Sequence, residues 1–190
     1  MFPLSEHAQL ELLTSARRCI KAYLESGKKI ICASQDPELS AKSGAFVTLH
    51  SAETLRGCIG MPNSVAPLFE TVQQCAISAA TMDPRFPPVT LAELSEIQIE
   101  ISVLSPMVPV ADLNDIEVGV HGLLVQDEGH RGLLLPQVAT EHHWDRETFI
   151  RQVFRKAGLP HEPLGEGAEL QRFTAQVFAE RTATSAERSD

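Results

Sequence analysis

Residues 97–103 alternate without a break: Ile97, Ile99, Ile101 and Val103 are apolar, and Gln98, Glu100 and Ser102 between them are polar. A helix would scatter these residues around its axis, whereas a strand puts the four apolar ones on one face. The segment therefore reads as a half-buried strand with its isoleucines in a core and Glu100 on the opposite face. Further strands are read at 45–50, 55–60, 116–120, 122–126 and 132–135, with a last one through Phe173, Ala175 and Val177. The connections at 51–54 and 127–130 are too short for the crossover that a parallel pair needs.

Three helical stretches lie among these strands. Leu10, Leu13, Ala16, Ile20, Tyr23 and Leu24 recur at threes and fours, with Ser5 placed to cap the helix and Gly27 to end it. Val65, Leu68, Phe69, Val72, Cys75, Ala76 and Ala79 form a second apolar face that Asp83-Pro84 stops. A third helix resumes near Thr140, uses Trp144, Thr148, Phe149, Val153 and Phe154, and ends at Gly158-Leu159-Pro160. Together these elements predict an α+β fold with largely antiparallel sheets and flanking helices, not a doubly wound parallel sheet.

At 190 residues and 43% hydrophobic content the chain suits one domain with a core of its own, so neither a disulfide nor a structural metal is needed for stability. We expect that domain to span 1–180 as two subdomains around a cleft, followed by a disordered tail at 181–190 rich in Thr, Ser and charge. The net charge of −9, with no long basic run, argues against nucleic acid and anionic membranes as partners. The first residues lack the basic stretch and apolar run of a signal peptide, and no later run reaches membrane-spanning length. A cytoplasmic location follows as the expectation. Cys19, Cys32, Cys58 and Cys75 are too scattered for a zinc ribbon or a redox dithiol and read as free thiols.

Most familiar catalytic signatures are missing, including the Walker A loop, the Rossmann glycines, HExxH and GxSxG. His142-His143, next to Glu141 and Asp145, are adjacent on an expected helix start and point about 100° apart, so no metal site is assigned there and the cofactor is left open. Leu55-Arg56-Gly57-Cys58-Ile59-Gly60 is different. Two glycines make this strand irregular and its thiol accessible. Arg56, two residues from Cys58, shares its strand face and could stabilise a thiolate; the plainer alternative is a packed thiol with Arg56 paired to a carboxylate such as Asp83.

The segment Asp83-Pro84-Arg85-Phe86-Pro87-Pro88 cannot be helical and must be a fixed loop. Its Asp83 and Arg85 read equally as a salt-bridged corner or as an anion clamp near the hexapeptide. Glu100 is expected to pair with Arg56 or Arg85. His121, between Val120 and Gly122, reads first as a turn or core histidine and second as a general base.

The hexapeptide resembles the signature of the AMMECR family, also called AmmeMemoRadiSam system protein A. Ala79-Ala80, the Asp83-to-Pro88 segment, Glu100-Ile101-Ser102-Val103-Leu104, Val118-Gly119-Val120-His121-Gly122-Leu123, Leu135-Pro136-Gln137-Val138-Ala139 and Trp144-Asp145 are similar to that family's successive blocks, in the same order. Met61-Pro62 departs from it, since relatives often carry a small residue after the hexapeptide.

The resemblance implies an α+β domain of two subdomains with the hexapeptide near the cleft. It also implies association with a Memo-type protein and a radical SAM protein. Any enzymatic or regulatory role it implies falls on Arg56, Gly57, Cys58 and Gly60. The expectation is an enzyme or enzyme accessory that binds a small anionic or carbonyl ligand through Cys58 and Arg56, with Gly57, Gly60, Asp83, Arg85, Glu100 and His121 around the ligand. The alternative is a non-catalytic scaffold that docks one of those partners.

Overall fold

The computed structural model describes residues 3–160 and 168–180. The chain divides into two compact units, the first reaching Val103 and resuming from Gln176, the second spanning Leu104–Ala175. The expected disorder of 181–190 lies outside the described residues. No helix among the described residues is long and apolar enough to cross a membrane.

In the first unit, helix α1 (Glu6–Ser26) begins where the Ser5 hydroxyl accepts the Ala8 N–H, and ends at Gly27 with φ 69°. That left-handed backbone is cheap for glycine and lets its N–H close on the Tyr23 carbonyl. Leu12, Ala16 and Ile20 are buried along one stripe, but Leu10 is exposed, which corrects its expected place on the apolar face. Strands β1 (Ala45–Ser51) and β2 (Thr54–Met61) form a hairpin, and helix α2 (Leu68–Thr81) follows. The helix starts later than the apolar pattern suggests, with Pro67 at its N-cap and Val65 exposed outside it.

Strand β3 (Ile97–Leu104) keeps the predicted alternation, with Ile97, Ile99, Ile101 and Val103 buried and Glu100 on the other face. It pairs antiparallel with β1, which pairs antiparallel with β2. With β8 (Ala175–Ala179) they make a four-stranded sheet of order β2-β1-β3-β8. One face of that sheet, through Val47, Leu49, Ile99 and Ile101, shares a core with α1 and α2. Each large aliphatic side chain buried there contributes about 1.5–3 kcal/mol.

The second unit holds β4 (Val108–Pro109), β5 (Gly122–Asp127), β6 (His130–Leu134) and β7 (Glu169–Phe173) in the antiparallel order β4-β7-β5-β6. Helices α3 (Pro136–Glu141) and α4 (Arg146–Ala157) follow the β5–β6 hairpin, and Phe149, Val153 and Phe154 of α4 pack with Leu123, Val125 and Leu134. Glu128 and Gly129 both take positive φ, 40° and 92°, as a two-residue hairpin turn whose twist matches its strands.

Three readings of this part are corrected. Residues 116–120 are a turn, not a strand: the Glu117 carbonyl accepts the N–H groups of Val120 and His121, and Gly119 has φ 85°. The single helix expected from Thr140 is two, because Asp145 caps a fresh start by accepting the Thr148 N–H. His142 and His143 lie between those helices, with His142 stacked on Trp144. The last strand is also two, β7 and β8 in different sheets, since at Thr174 the backbone leaves the ladder to exchange bonds with Ser105.

Candidate functional site

The hexapeptide occupies β2, an edge strand of the first unit's sheet. Its pairing with β1 slips by one residue: Leu49 faces Gly57 while His50 faces Leu55, so Arg56 is the extra residue of a β-bulge. Gly57 falls on the core face, where a Cβ would lie 2.3 Å from the Ala79 carbonyl oxygen of α2. Only a residue without a side chain lets strand and helix approach so closely. Gly60 falls on the opposite face, and the Phe46 ring lies over it at the place a Cβ would take.

Cys58, also on that outer face, sits opposite Thr48, which in turn sits opposite Glu100 on β3. Antiparallel partners share a face, so thiol, hydroxyl and carboxylate stand in one row across three strands. The Thr48 Oγ1 to Cys58 Sγ distance is 3.4 Å, with the hydroxyl donating. Ser102, buried on the same face of β3, has an Oγ without a hydrogen-bond partner.

The backbone of Cys58 points its polar groups to the open edge, and the proline loop meets them. The Cys58 N–H donates to Asp83 Oδ2 at 2.8 Å, and the Cys58 carbonyl accepts Arg85 Nη2 at 3.4 Å. Arg85 and Asp83 are joined by two further bonds, Nε to Oδ1 at 2.9 Å and Nη2 to Oδ2 at 2.7 Å. The carboxylate and guanidinium together thus do for the edge what a neighbouring strand would, one accepting and one donating.

Asp83 is buried, and the Arg85 guanidinium above all holds its carboxyl well below the usual carboxylate range, helped by the N–H groups of Cys58 and Arg85. Arg85 is held more basic than usual, first by Asp83 and in smaller part by the Cys58 thiol beside it. Its side chain stays about half exposed, with the guanidinium over the Phe86 ring.

Arg56 behaves otherwise. Its Nε donates to Glu93 Oε1 at 3.1 Å and its Nη1 to the Pro87 carbonyl at 2.9 Å, which clamps the far end of the proline loop. The structure therefore corrects two expected pairings. The carboxylate of Arg56 is Glu93 rather than Asp83, and Glu100 meets neither arginine, both being taken by closer acceptors. The guanidinium beside the thiol is that of Arg85.

Glu93 was missed by the sequence reading although Thr90 and Glu93 carry a capping-box spacing. The Thr90 N–H and hydroxyl both donate to Glu93, and these bonds, with Arg56 after them, lower its pKa. Thr48 was missed because only the register of the hairpin sets it against Cys58.

The structure thus gathers Arg56, Gly57, Cys58, Gly60, Asp83, Arg85 and Glu100 in the first unit. His121 belongs to the second unit, where its Nδ1 accepts the Glu117 N–H and its Nε2 lies 3.2 Å from Arg172 Nη1. Burial first, and then the Arg172 charge, lower its pKa.

Cys32 is half-buried like Cys58, whereas the remaining two thiols differ from both. Cys75 is fully buried and its pKa is pushed up to about 12 by burial, and burial raises Cys19 as well.

Comparison with known proteins matches this chain over most of its length. The AMMECR1 family model matches residues 13–178. Protein MJ0810 of Methanocaldococcus jannaschii is 45% identical over 174 residues, covering 87% of this chain and 86% of that protein. Protein MK0488 of Methanopyrus kandleri is 45% identical over 89% of this chain and 86% of its own. The crystal structure of the uncharacterized protein PH0010 from Pyrococcus horikoshii is similar at a TM-score of 0.88 and 40% identity, covering 96% of each chain.

Proposed function

Because this chain belongs to the AMMECR1 family, we propose that the outer face around Cys58 is its ligand site, and that the protein is a cytosolic enzyme or enzyme accessory binding a small anionic or carbonyl-bearing molecule there. The observation that carries this reading is the latch between Asp83, Arg85 and the Cys58 backbone, which holds a half-exposed guanidinium next to a half-buried thiol. Arg85 is the cation for an anionic group or for the oxygen of a polarised carbonyl. Cys58 is the nucleophile, in the range of a ligand that Arg85 orients. Arg56 fixes the loop and acts through position. Four unpaired thiols suit a reducing compartment.

Peptide-mapped alkylation of the folded protein tests the reading. Cys58 should label ahead of Cys19 and Cys75, and Arg85→Gln should slow that labelling about tenfold while leaving the fold intact. Equal labelling of all the thiols, or labelling only on unfolding, would count against a reactive site.

A second reading has its own observation. Leu55, Met82 and Leu91, which flank Arg56, Asp83 and Glu93 in the chain, are large apolar residues left exposed. They suit a docking surface, for which a Memo-type or radical SAM protein is the proposed partner. If Cys58 proves inert while Leu55→Glu abolishes binding of such a partner, the scaffold reading replaces the enzymatic one.

A further inference from the structure

A different part of the first unit brings together residues that the sequence keeps far apart. His7 and Glu11 stand four residues apart on α1 and so share a helix face. Asp36 reaches the same place as the cap of the short 3-10 turn Pro37–Ser40. One ligand atom from each, an imidazole nitrogen and two carboxylate oxygens, lies within 4.8 Å of the others. Metal bonds of about 2.0–2.2 Å need neighbouring donors roughly 3.0–3.6 Å apart. His7 is exposed and Glu11 and Asp36 are half-buried, so side-chain rotation closes the difference.

Two features prepare the carboxylates. Ser34 Oγ donates to Glu11 Oε1 at 2.6 Å, and the Glu38 N–H donates to Asp36 Oδ1 at 2.8 Å, so each acid is held by one oxygen and offers the other. All three residues line a cavity of about 840 Å³ whose wall also includes Ser15 and Phe69.

Ser15 supplies the independent sign of a ligand. It continues the His7–Glu11 stripe by one more turn, is 3% exposed, and its buried Oγ makes no hydrogen bond of acceptable geometry. The polar group it approaches is the Cys19 thiol, a poor partner. A buried hydroxyl left this way is under-satisfied at the wall of the cavity that the three ligands share.

We propose that His7, Glu11 and Asp36 bind one divalent transition-metal ion, zinc foremost, with the remaining positions open to water or to a ligand in the cavity. Two carboxylates balance the charge of the ion. An imidazole among the donors selects against calcium, which takes six to eight oxygens, and against magnesium. Three protein ligands with an open position is the zinc arrangement that admits exchange, in contrast to a closed four-ligand structural site. The inference does not depend on Cys58 or on the function proposed for it.

The experiment titrates the chelator-treated full chain with zinc by calorimetry, and with cobalt as a spectroscopic stand-in. One equivalent should bind, and His7→Ala, Glu11→Gln and Asp36→Asn should each weaken binding roughly tenfold or more. Glu11→Gln keeps both size and the bond from Ser34, so its loss of binding cannot come from misfolding. His143→Ala should leave affinity unchanged, and the cobalt spectrum should lack thiolate charge-transfer absorption. No saturable binding, binding indifferent to the three variants, or a thiolate band abolished by Cys58→Ser would each overturn the proposal.

Discussion

The two units use one construction twice, and they differ where the candidate site lies. In each, a hairpin packs against a helix through a glycine. Gly57 of β2 faces the Ala79 carbonyl, and Gly132 of β6 faces the Val153 carbonyl, at 2.3 and 2.5 Å from the position of an added Cβ. The second hairpin then runs in unbroken register from Leu123–Leu134 to Asp127–His130. The first breaks register at Arg56, and side chains of a proline loop occupy its edge. A glycine in the hexapeptide is thus no sign of chemistry, since the unit without the hexapeptide has the same device. The bulge, the latched edge and the thiol are what the first unit adds.

The largest effect should come from filling the shared contact. Gly57→Ala and Gly132→Ala should each cost about 2–3 kcal/mol by overpacking, read by hydrogen exchange as lost protection in the altered unit. Equal protection before and after Gly57→Ala would break the parallel. Next comes the latch. Asp83→Ala strands the N–H groups of Cys58 and Arg85 and should cost about 2 kcal/mol, with Asp83→Asn milder because an amide oxygen still accepts.

Asp83 also sets a pH dependence. Its folded pKa lies below its unfolded one, so its contribution is present above the unfolded value of about 3.9 and is lost as pH falls through the lower folded value. Denaturant unfolding across acid pH should therefore show a flatter acid limb for Asp83→Asn than for the parent chain.

Arg56→Gln should cost about 1 kcal/mol and should loosen the Pro87–Pro88 end of the loop without touching the second unit. An effect that reached β5 or β6 exchange would blur the comparison. The smallest effect belongs to the second unit. His121 has a lowered folded pKa, so the unfolded chain binds more protons in the window below about 6.5 and stability rises with pH there. Exchange rates of β5 amides should show that slope, and His121→Gln should remove it.

Local chemistry made much of this legible in the chain. The alternation of 97–103 could only be a strand, Ser5 and Gly27 bracket α1 as caps, and Glu128-Gly129 supplies the turn that the β5–β6 hairpin needs. The prolines after Asp83 forced a loop, and Asp83 with Arg85 suggested a pair. These are properties of a residue and its near neighbours, and sequence states them directly. The failures are equally physical. Residues 116–120 carry strand-like valines but close on the Glu117 carbonyl, and the Phe173–Val177 alternation continues across a break at Thr174 that side-chain period cannot register.

What the sequence determined by itself is most of the longer elements, the antiparallel class and the irregularity of the hexapeptide, because steric preference and side-chain period act over a few residues. Only the tertiary structure decided which arginine stands by the thiol. Arg56 is nearer to Cys58 in the chain, but the bulge turns it to Glu93 and the proline carbonyls, while Arg85, far along the chain, returns to the Cys58 backbone. The row of Cys58, Thr48 and Glu100 and the meeting of His7, Glu11 and Asp36 have the same origin. Partners across a sheet or a cavity are fixed by register and by core packing, and those are sums over contacts that no local stretch of residues contains.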